Sequence, residues 1–314
     1  MAETEKNNKQ NTIQKTKRNG LLELYRFLFA LWVVWYHGFF IFKTEYFNHG
    51  YIAVEFFFIL SGFYVLKSIE KYNEKSFWAG LWELLWSRIK ALGLAFIIGL
   101  IFVVWYMFIE GQISQLGYLW YIPFMLLAFI FVYILKRLVK NKLAIILILC
   151  STVIASYLLL YLPVLEGWGL FRGLGGVSLG VLVSFIPKKD LKIKKINLNW
   201  IITFILLGTT IYLAYLPKYN FISEYFLIFL IMPMLIYFTN TLTINSKILN
   251  FLGSLSFGLY AYQCILRVIE FYAPLQQYWF FLILVALVLL DKVIVQLYKK
   301  YKTKNAVKQN TNAS

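Results

Sequence analysis

Ten long runs of apolar residues divide the chain, and they constrain its fold more than any other feature. About 20 helical residues cross the roughly 30 Å hydrocarbon core of a bilayer. The runs have about this length, at 21–42, 51–68, 90–109, 118–136, 143–163, 168–187, 199–216, 221–240, 249–272 and 277–297. They lack the ten-residue alternation of barrel strands. The sequence therefore predicts an all-α polytopic membrane protein with about ten transmembrane helices.

The composition supports a membrane protein and argues against a nucleic-acid partner. Hydrophobic residues make up 61% of the chain and charged residues 14%, against roughly 25% charged in an ordinary soluble domain. The net charge of +17 is spread over short clusters between the apolar runs, which is typical of cytoplasmic loops. A nucleic-acid-binding protein concentrates its charge on a soluble basic face. We therefore expect the lipid bilayer, and no nucleic acid, as a partner.

The distribution of basic residues predicts the orientation in the membrane. With the N-terminus inside, only Lys43 and Lys218 fall in external loops, and nearly all other lysines and arginines lie on the cytoplasmic side. This asymmetry favours an even number of spans with both termini cytoplasmic. We expect flexible basic tails at 1–20 and 298–314, around a single transmembrane domain at 21–297 in the cell membrane.

A short aromatic segment precedes the third apolar run. Trp78, Trp82 and Trp86 recur every four residues between Phe77 and Trp86, so they share one helical face. Tryptophan is enriched at membrane interfaces. The spacing predicts an interfacial amphipathic helix that leads into the third span.

Ionisable side chains inside the predicted spans are candidates for function, because a membrane-embedded charge is costly unless it lines a cavity or has a partner. The helical rise of about 1.5 Å per residue puts His37, Glu55, Arg172 and Arg267 at similar depths near the external face. A carboxylate beside an imidazole orients it and stabilises the imidazolium, as a general base requires. An arginine in the same layer can stabilise an oxyanion. Alternatively, these charges are ion pairs that hold helices together.

A second group of cations lies toward the cytoplasmic side. Arg26 falls inside the first apolar run, and Arg88 and Lys90 stand where the third begins. We interpret Lys90 as ordinary flanking charge. Cations at this depth suit a phosphate-bearing ligand that arrives from the cytosol.

Two neighbouring stretches resemble a known family. Arg26 and His37, separated by ten residues in YRFLFALWVVWYH, resemble the Arg-x10-His signature of the acyltransferase-3 family of integral-membrane O-acyltransferases. The stretch GYIAVEFFFILSGFYV is similar to that family's second-span motif, which is filled here by Glu55, Phe56, Phe57, Ser61 and Gly62. The resemblance covers about 20–270, and ten spans fit it.

Other stretches resemble motifs of later spans in this family, with two departures. The similar stretches are Arg88 with Ile89 and Lys90, Leu119 with Trp120 and Tyr121, Phe171 with Arg172 and Gly173, and Ser254 to Gln263 (SLSFGLYAYQ). Gln263 stands where the family usually has histidine, so this position cannot transfer a proton. Ala91 stands where a proline commonly follows the basic pair.

The resemblance implies transfer of an acyl group, usually acetyl, from a cytoplasmic donor such as acetyl-CoA to a hydroxyl of an extracytoplasmic or lipid-linked glycan. No cofactor is then bound permanently, and no metal is expected. His37 is expected to be the general base with Glu55 as its partner, while Arg26 and Arg88 bind the donor. The residues expected at the oxyanion or the acceptor are Arg172, Arg267, Trp120, Tyr121, Ser61, Tyr260 and Gln263.

Two other classes of function remain open from the sequence. A polytopic transporter or flippase of glycan precursors also carries buried charges, as a path for its substrate or for protons. An assembly partner without activity gives no reason for a histidine and a carboxylate at matched depth. The sequence leaves the oligomeric state, the acceptor sugar and the acyl chain open.

Overall fold

The computed structural model of the protein describes residues 19–37, 46–110, 119–160, 169–193, 196–217, 221–242, 244–272 and 277–311. The helices in these ranges are α1 (Gly20–His37), α2 (Ala53–Glu70), α3 (Phe77–Glu110), α4 (Tyr121–Leu138), α5 (Lys142–Leu159), α6 (Gly169–Ser184), α7 (Leu198–Tyr215), α8 (Phe221–Phe226), α9 (Met232–Thr241), α10 (Lys247–Tyr272) and α11 (Gln277–Thr311). A 3₁₀ turn, Gly50–Ile52, leads into α2, and a π-helical turn, Leu227–Ile231, joins α8 to α9. The short strands β1 (Lys192–Ile193) and β2 (Ile196–Asn197) form an antiparallel hairpin.

The helical content confirms the predicted all-α polytopic class. Seven helical segments of the described residues are long and apolar enough to cross a membrane, namely Gly50–Glu70, Phe77–Phe102, Tyr121–Leu138, Lys142–Leu159, Leu198–Tyr215, Ile222–Thr241 and Tyr278–Thr303. The helix α6 is apolar but shorter, with 16 residues. Each of the ten predicted runs coincides with a helix, the eighth with α8 and α9 together. The count of ten crossings and the cytoplasmic termini stay predictions.

The short helix α6 lies at the centre of the bundle, against α2, α4 and α5. Its contact with α2 is made by small residues, since a Cβ on Gly180 would overlap the carbonyl of Ile59 and one on Gly62 would overlap the carbonyl of Val177. Small residues let helix backbones approach closely in membranes, where packing drives association. From Glu55–Arg172 through Phe58–Gly176 to Phe63–Gly180, the residue numbers of both helices rise together, so α2 and α6 run parallel. This register brings Arg172 level with the first turn of α2.

The helices α1 and α10 form a second parallel pair. The Gly20 amide donates to the Ile244 carbonyl at 2.7 Å, and Gly253 packs directly against Glu23. The residue numbers again rise together, so both helices run in the same direction, as the prediction expects of the first and ninth apolar runs.

The predicted interfacial segment and the third apolar run belong to one long helical element that is interrupted at a glycine. Gly93 has φ +69° and ψ −154°, a conformation that a residue without a Cβ adopts readily. It divides α3 into 77–92 and 94–110. The three tryptophans of the first part are exposed, and the rings of Trp82 and Trp86 stack with centroids 5.9 Å apart.

The two predicted tails are described to different extents. The C-terminal one, 298–314, is helical as far as Thr311, because α11 continues past the apolar run. Residues 1–18 of the N-terminal tail lie outside the described residues.

Candidate active site

A cavity of about 360 Å³ lies where α1, α2, α4, α6 and α10 meet. Its wall includes four of the residues that the sequence predicts at the site, namely His37, Arg172, Trp120 and Tyr260. We call it the outer cavity. Its volume is in the range of small-molecule sites, which are concave and mostly apolar with a few convergent polar groups.

His37, the last described residue of α1, is half-buried at the cavity wall. Its ring centroid is 5.2 Å from that of Tyr36, and the Tyr36 ring is 5.7 Å from that of Tyr51. The fold therefore presents this histidine to the cavity among aromatic rings.

Arg172 is held at the cavity wall by three interactions. Its Nε donates to Glu55 Oε1 at 2.6 Å and its Nη2 donates to the Tyr51 carbonyl at 2.7 Å. Its guanidinium lies 4.9 Å from the centroid of the Trp120 ring, a cation–π arrangement. The planar fork of the guanidinium is thus fixed in position before any ligand binds.

Glu55 lies behind Arg172 in the first turn of α2 and is only 1% exposed. Its Oε1 accepts from Arg172, and its Oε2 accepts from the Tyr157 hydroxyl at 2.8 Å. These contacts, in the described part of the chain, match the alternative given in the sequence analysis, in which the carboxylate pairs with an arginine. Glu55 therefore touches the cavity wall through Arg172. Its predicted pairing with His37 is not among the contacts that the structure shows.

Three acidic side chains inside the apolar helices were missed by the sequence analysis. Glu224 in α8 accepts a hydrogen bond from the Tyr51 hydroxyl at 3.3 Å. Glu23 in α1 pairs with Arg26, and Asp291 in α11 accepts from the Tyr262 hydroxyl at 3.3 Å. The available signal was an acidic residue within an apolar run. Tyr157, by contrast, had no signal in the sequence.

The second group of predicted residues, which we call the inner cluster, comprises Arg26, Arg88, Ser61 and Tyr121. Both guanidinium groups lie within electrostatic range of the Tyr121 side chain. The Tyr121 hydroxyl oxygen is 3.2 Å from Ser61 Oγ. Arg26 pairs with Glu23 at 2.9 Å. Ser61 and Tyr121, predicted at the acceptor, therefore lie with the cations predicted at the donor.

Arg88 is held differently from Arg26. Its Nη2 donates to the Ser68 hydroxyl, and its guanidinium lies 5.3 Å from the centroid of the Phe129 ring. Lys90 is exposed and lies over the Trp86 ring, which agrees with the interpretation as flanking charge.

Aromatic rings connect the inner cluster to the outer cavity. The Tyr121 ring centroid is 6.0 Å from that of Tyr260, an edge-on contact, and Tyr260 itself lines the cavity.

Residues 19–290 match the acyltransferase-3 family, which is described as an acyltransferase domain. The chain belongs to this family. No curated protein and no solved structure matches it.

The remaining predicted residues of this membrane acyltransferase lie on α10. Gln263 is fully buried, three residues after Tyr260. Arg267 falls within the bounds of the same helix, but its side chain lies outside the described residues. The family match covers both charged regions and the whole wall of the cavity.

Proposed function

We propose that this acyltransferase moves an acetyl group from cytoplasmic acetyl-CoA to a hydroxyl of an extracytoplasmic or lipid-linked glycan, in the cell membrane. The observation that carries the proposal is the shared cavity of His37 and Arg172. A titratable imidazole and a fixed cation beside one small space are the groups that acyl transfer to a hydroxyl requires.

In the proposed reaction, His37 removes the proton from the acceptor hydroxyl as its oxygen attacks the thioester carbonyl. The negative charge that develops on the carbonyl oxygen is stabilised by Arg172, whose position is fixed before the reaction. The tetrahedral intermediate then collapses and the carbon–sulfur bond breaks. The thiolate takes the proton from the imidazolium, so the products are the ester and the free thiol, and His37 is neutral again.

The two charged regions divide the substrates between them. The outer cavity is large enough for the acetyl group and the reacting sugar hydroxyl, and its aromatic wall suits the apolar face of a sugar ring. The phosphates of the donor are bound by Arg26 and Arg88 in the inner cluster, because charge-assisted contacts to guanidinium groups are strong. The pantetheine arm of the donor then extends from the inner cluster toward His37 and carries the acetyl group.

The test compares surface glycan from cells with and without the protein, by mass and by alkali-labile acetyl content. We expect acetyl esters only in cells that contain the protein, with matching consumption of radiolabelled acetyl-CoA in isolated membranes. A transporter or flippase would change the amount of exported glycan and leave its ester content unchanged.

The external position of the acceptor side is tested separately. We expect Asn48→Cys, in the turn before α2, to react with a membrane-impermeant thiol reagent in intact cells. Labelling only after permeabilisation would contradict the orientation and the proposed direction of transfer.

A further inference from the structure

A buried carboxamide on α10 is left without hydrogen bonds inside the protein. Gln263 has no exposed surface, and neither its Oε1 nor its Nε2 has a hydrogen-bond partner among the described residues. Burying an amide in this state costs roughly 1–3 kcal/mol, judged from mutational data. Native proteins leave few such groups, so a bound group that satisfies this one would recover the cost.

Another buried amide in the same protein shows the contrast. Asn199 at the start of α7 is also fully buried. Its Nδ2 donates to the Lys189 carbonyl at 3.0 Å and to Thr241 Oγ1 at 2.7 Å. Asn199 therefore joins two segments of the fold, whereas the Gln263 carboxamide joins none within the described part of the chain.

The helix register puts Gln263 at the height of the outer cavity. Gly253 packs against Glu23, and α10 runs parallel to α1. Gln263 lies ten residues after Gly253 on α10, and Val33 lies ten residues after Glu23 on α1. Val33 lines the cavity, so Gln263 is level with it. Gln263 also follows Tyr260, another lining residue, by three positions, which places both on one face of the helix.

The height of Gln263 relative to His37 indicates which part of a substrate it can contact. His37 lies four residues beyond Val33, or about 6 Å farther toward the external side at a helical rise of 1.5 Å. In the coenzyme A thioester, the nearest amide nitrogen is four bonds from the reacting carbonyl carbon, about 5 Å in an extended chain with bonds of roughly 1.5 Å. The two separations agree.

We propose that the Gln263 carboxamide binds a secondary amide of the substrate, and that this is the amide nearest the thioester in the donor's pantetheine arm. A carboxamide offers one acceptor oxygen and two N–H donors, and a secondary amide offers the complementary donor and acceptor. The inference rests on the proposed function, and it assigns to Gln263 a binding role that requires no proton transfer.

The first experiment measures transfer from two small donors. S-acetyl-N-acetylcysteamine retains the amide, and S-ethyl thioacetate has none. In Gln263→Leu, and in Gln263→Met as a closer match in shape, we expect KM for acetyl-CoA and for the first donor to rise roughly 2- to 12-fold, because one hydrogen bond is lost. Use of S-ethyl thioacetate should be unchanged.

The second experiment measures the melting temperature of the substrate-free protein. We expect Gln263→Leu or Gln263→Met to melt at the same temperature as wild type or higher, because an unbonded buried amide is removed. The matched control is Asn199→Leu, which should lower the melting temperature and leave KM unchanged. A lower melting temperature in both Gln263 variants, with KM unchanged, would overturn the proposal.

A third measurement separates this inference from the proposed function. Calorimetric binding of coenzyme A to the purified protein needs no turnover, and we expect weaker binding in both Gln263 variants. Wild-type protein that binds coenzyme A and transfers no acetyl group would contradict the proposed function alone. A rise in KM for an N-acetylated acceptor glycan, with donor KM unchanged, would overturn the assignment to the donor arm.

Discussion

The outer cavity and the inner cluster hold their arginines in different ways. In the outer cavity, Arg172 and Glu55 have side chains 17% and 2% exposed, and their ion pair joins α6 to α2. In the inner cluster, Arg26 is 34% exposed, and its partner Glu23 lies three residues earlier on the same helix. A buried pair is costly to break, because either partner alone leaves an uncompensated charge. The Arg26–Glu23 pair lies within one helix, and a third of the Arg26 side chain stays exposed.

This difference suggests a division of roles. Arg172 keeps one position throughout the reaction and is suited to a charge that develops in the transition state. Arg26 keeps Glu23 as its partner and offers its exposed N–H groups to a phosphate of an incoming donor. Substitutions in the two regions should therefore affect different quantities, namely folding and rate in the outer cavity and donor affinity in the inner cluster.

The largest expected effect is the loss of activity in His37→Ala. General-base catalysis contributes typically 10²–10⁴-fold, and the variant lacks the only proton acceptor that we propose in the cavity. The measurement is acetyl transfer per inserted protein in isolated membranes. The protein should still insert, because the change removes only a half-buried ring at the cavity wall.

His49 provides the matched control for this substitution. It precedes the 3₁₀ turn, between the first two apolar runs, and is half-buried in the structure. His49→Ala should keep most of the activity. Equal losses in the two alanine variants would show that the choice of His37 as the base has no support.

The next effect is on folding in Glu55→Gln. This change leaves Arg172 buried without its carboxylate, which costs about 3–5 kcal/mol. We expect much less folded protein, measured by fluorescence-detected size exclusion, with smaller losses in Glu55→Asp because the charge is retained. Turnover per folded molecule should fall much less than the amount of protein.

The opposite result would revise the assignment of Glu55. A normal amount of folded Glu55→Gln protein, with a hundred-fold loss of turnover, would show that the carboxylate serves catalysis and not the stability of the fold. Tyr157→Phe serves as the milder comparison, since it removes a single hydrogen bond to Glu55, worth about 0.5–1.5 kcal/mol.

A third effect is expected on the donor side. Arg26→Ala and Arg88→Ala should raise KM for acetyl-CoA on the order of ten- to a hundred-fold, because charge-assisted hydrogen bonds contribute about 1.5–3 kcal/mol. Lys90→Ala should change it less, since Lys90 is exposed. Unchanged donor affinity in both arginine variants would mean that the inner cluster only sets the orientation in the membrane.

The sequence predicted the heights of these groups better than their partners. Apolar runs and helical rise brought His37 and Arg172 to one level, and the structure joins them in one cavity. The helical rise gives the height of a side chain along the helix and not the direction in which it points around the helix axis. Glu55 was therefore matched with the histidine on the adjacent span.

The partner of Glu55 depends instead on a contact between distant parts of the chain. The parallel packing of α2 against α6 is set by glycines more than 100 residues apart, such as Gly62 and Gly180. No local sequence pattern predicts such a contact. The same holds for Tyr157, an aromatic residue among many in apolar helices.

The smallest expected effect is on the pH dependence of stability at His49, whose ring is 6.1 Å from that of the cavity residue Tyr51. It tests how far water is excluded from this side chain. Burial lowers the pKa of His49, and a hydrogen bond at the Pro217 backbone opposes this only in part. The folded protein therefore prefers the neutral imidazole, while the unfolded chain takes up a proton below about pH 6.5. Stability from this group is complete above pH 6.5 and is lost as the pH falls from there toward the lowered pKa of the folded state. In detergent, the melting temperature of wild type minus that of His49→Gln should thus decrease between pH 7.5 and pH 5, because other titrating groups cancel in the difference. A difference that grows at pH 5 would mean that folding favours the imidazolium, and that burial does not control the protonation of His49.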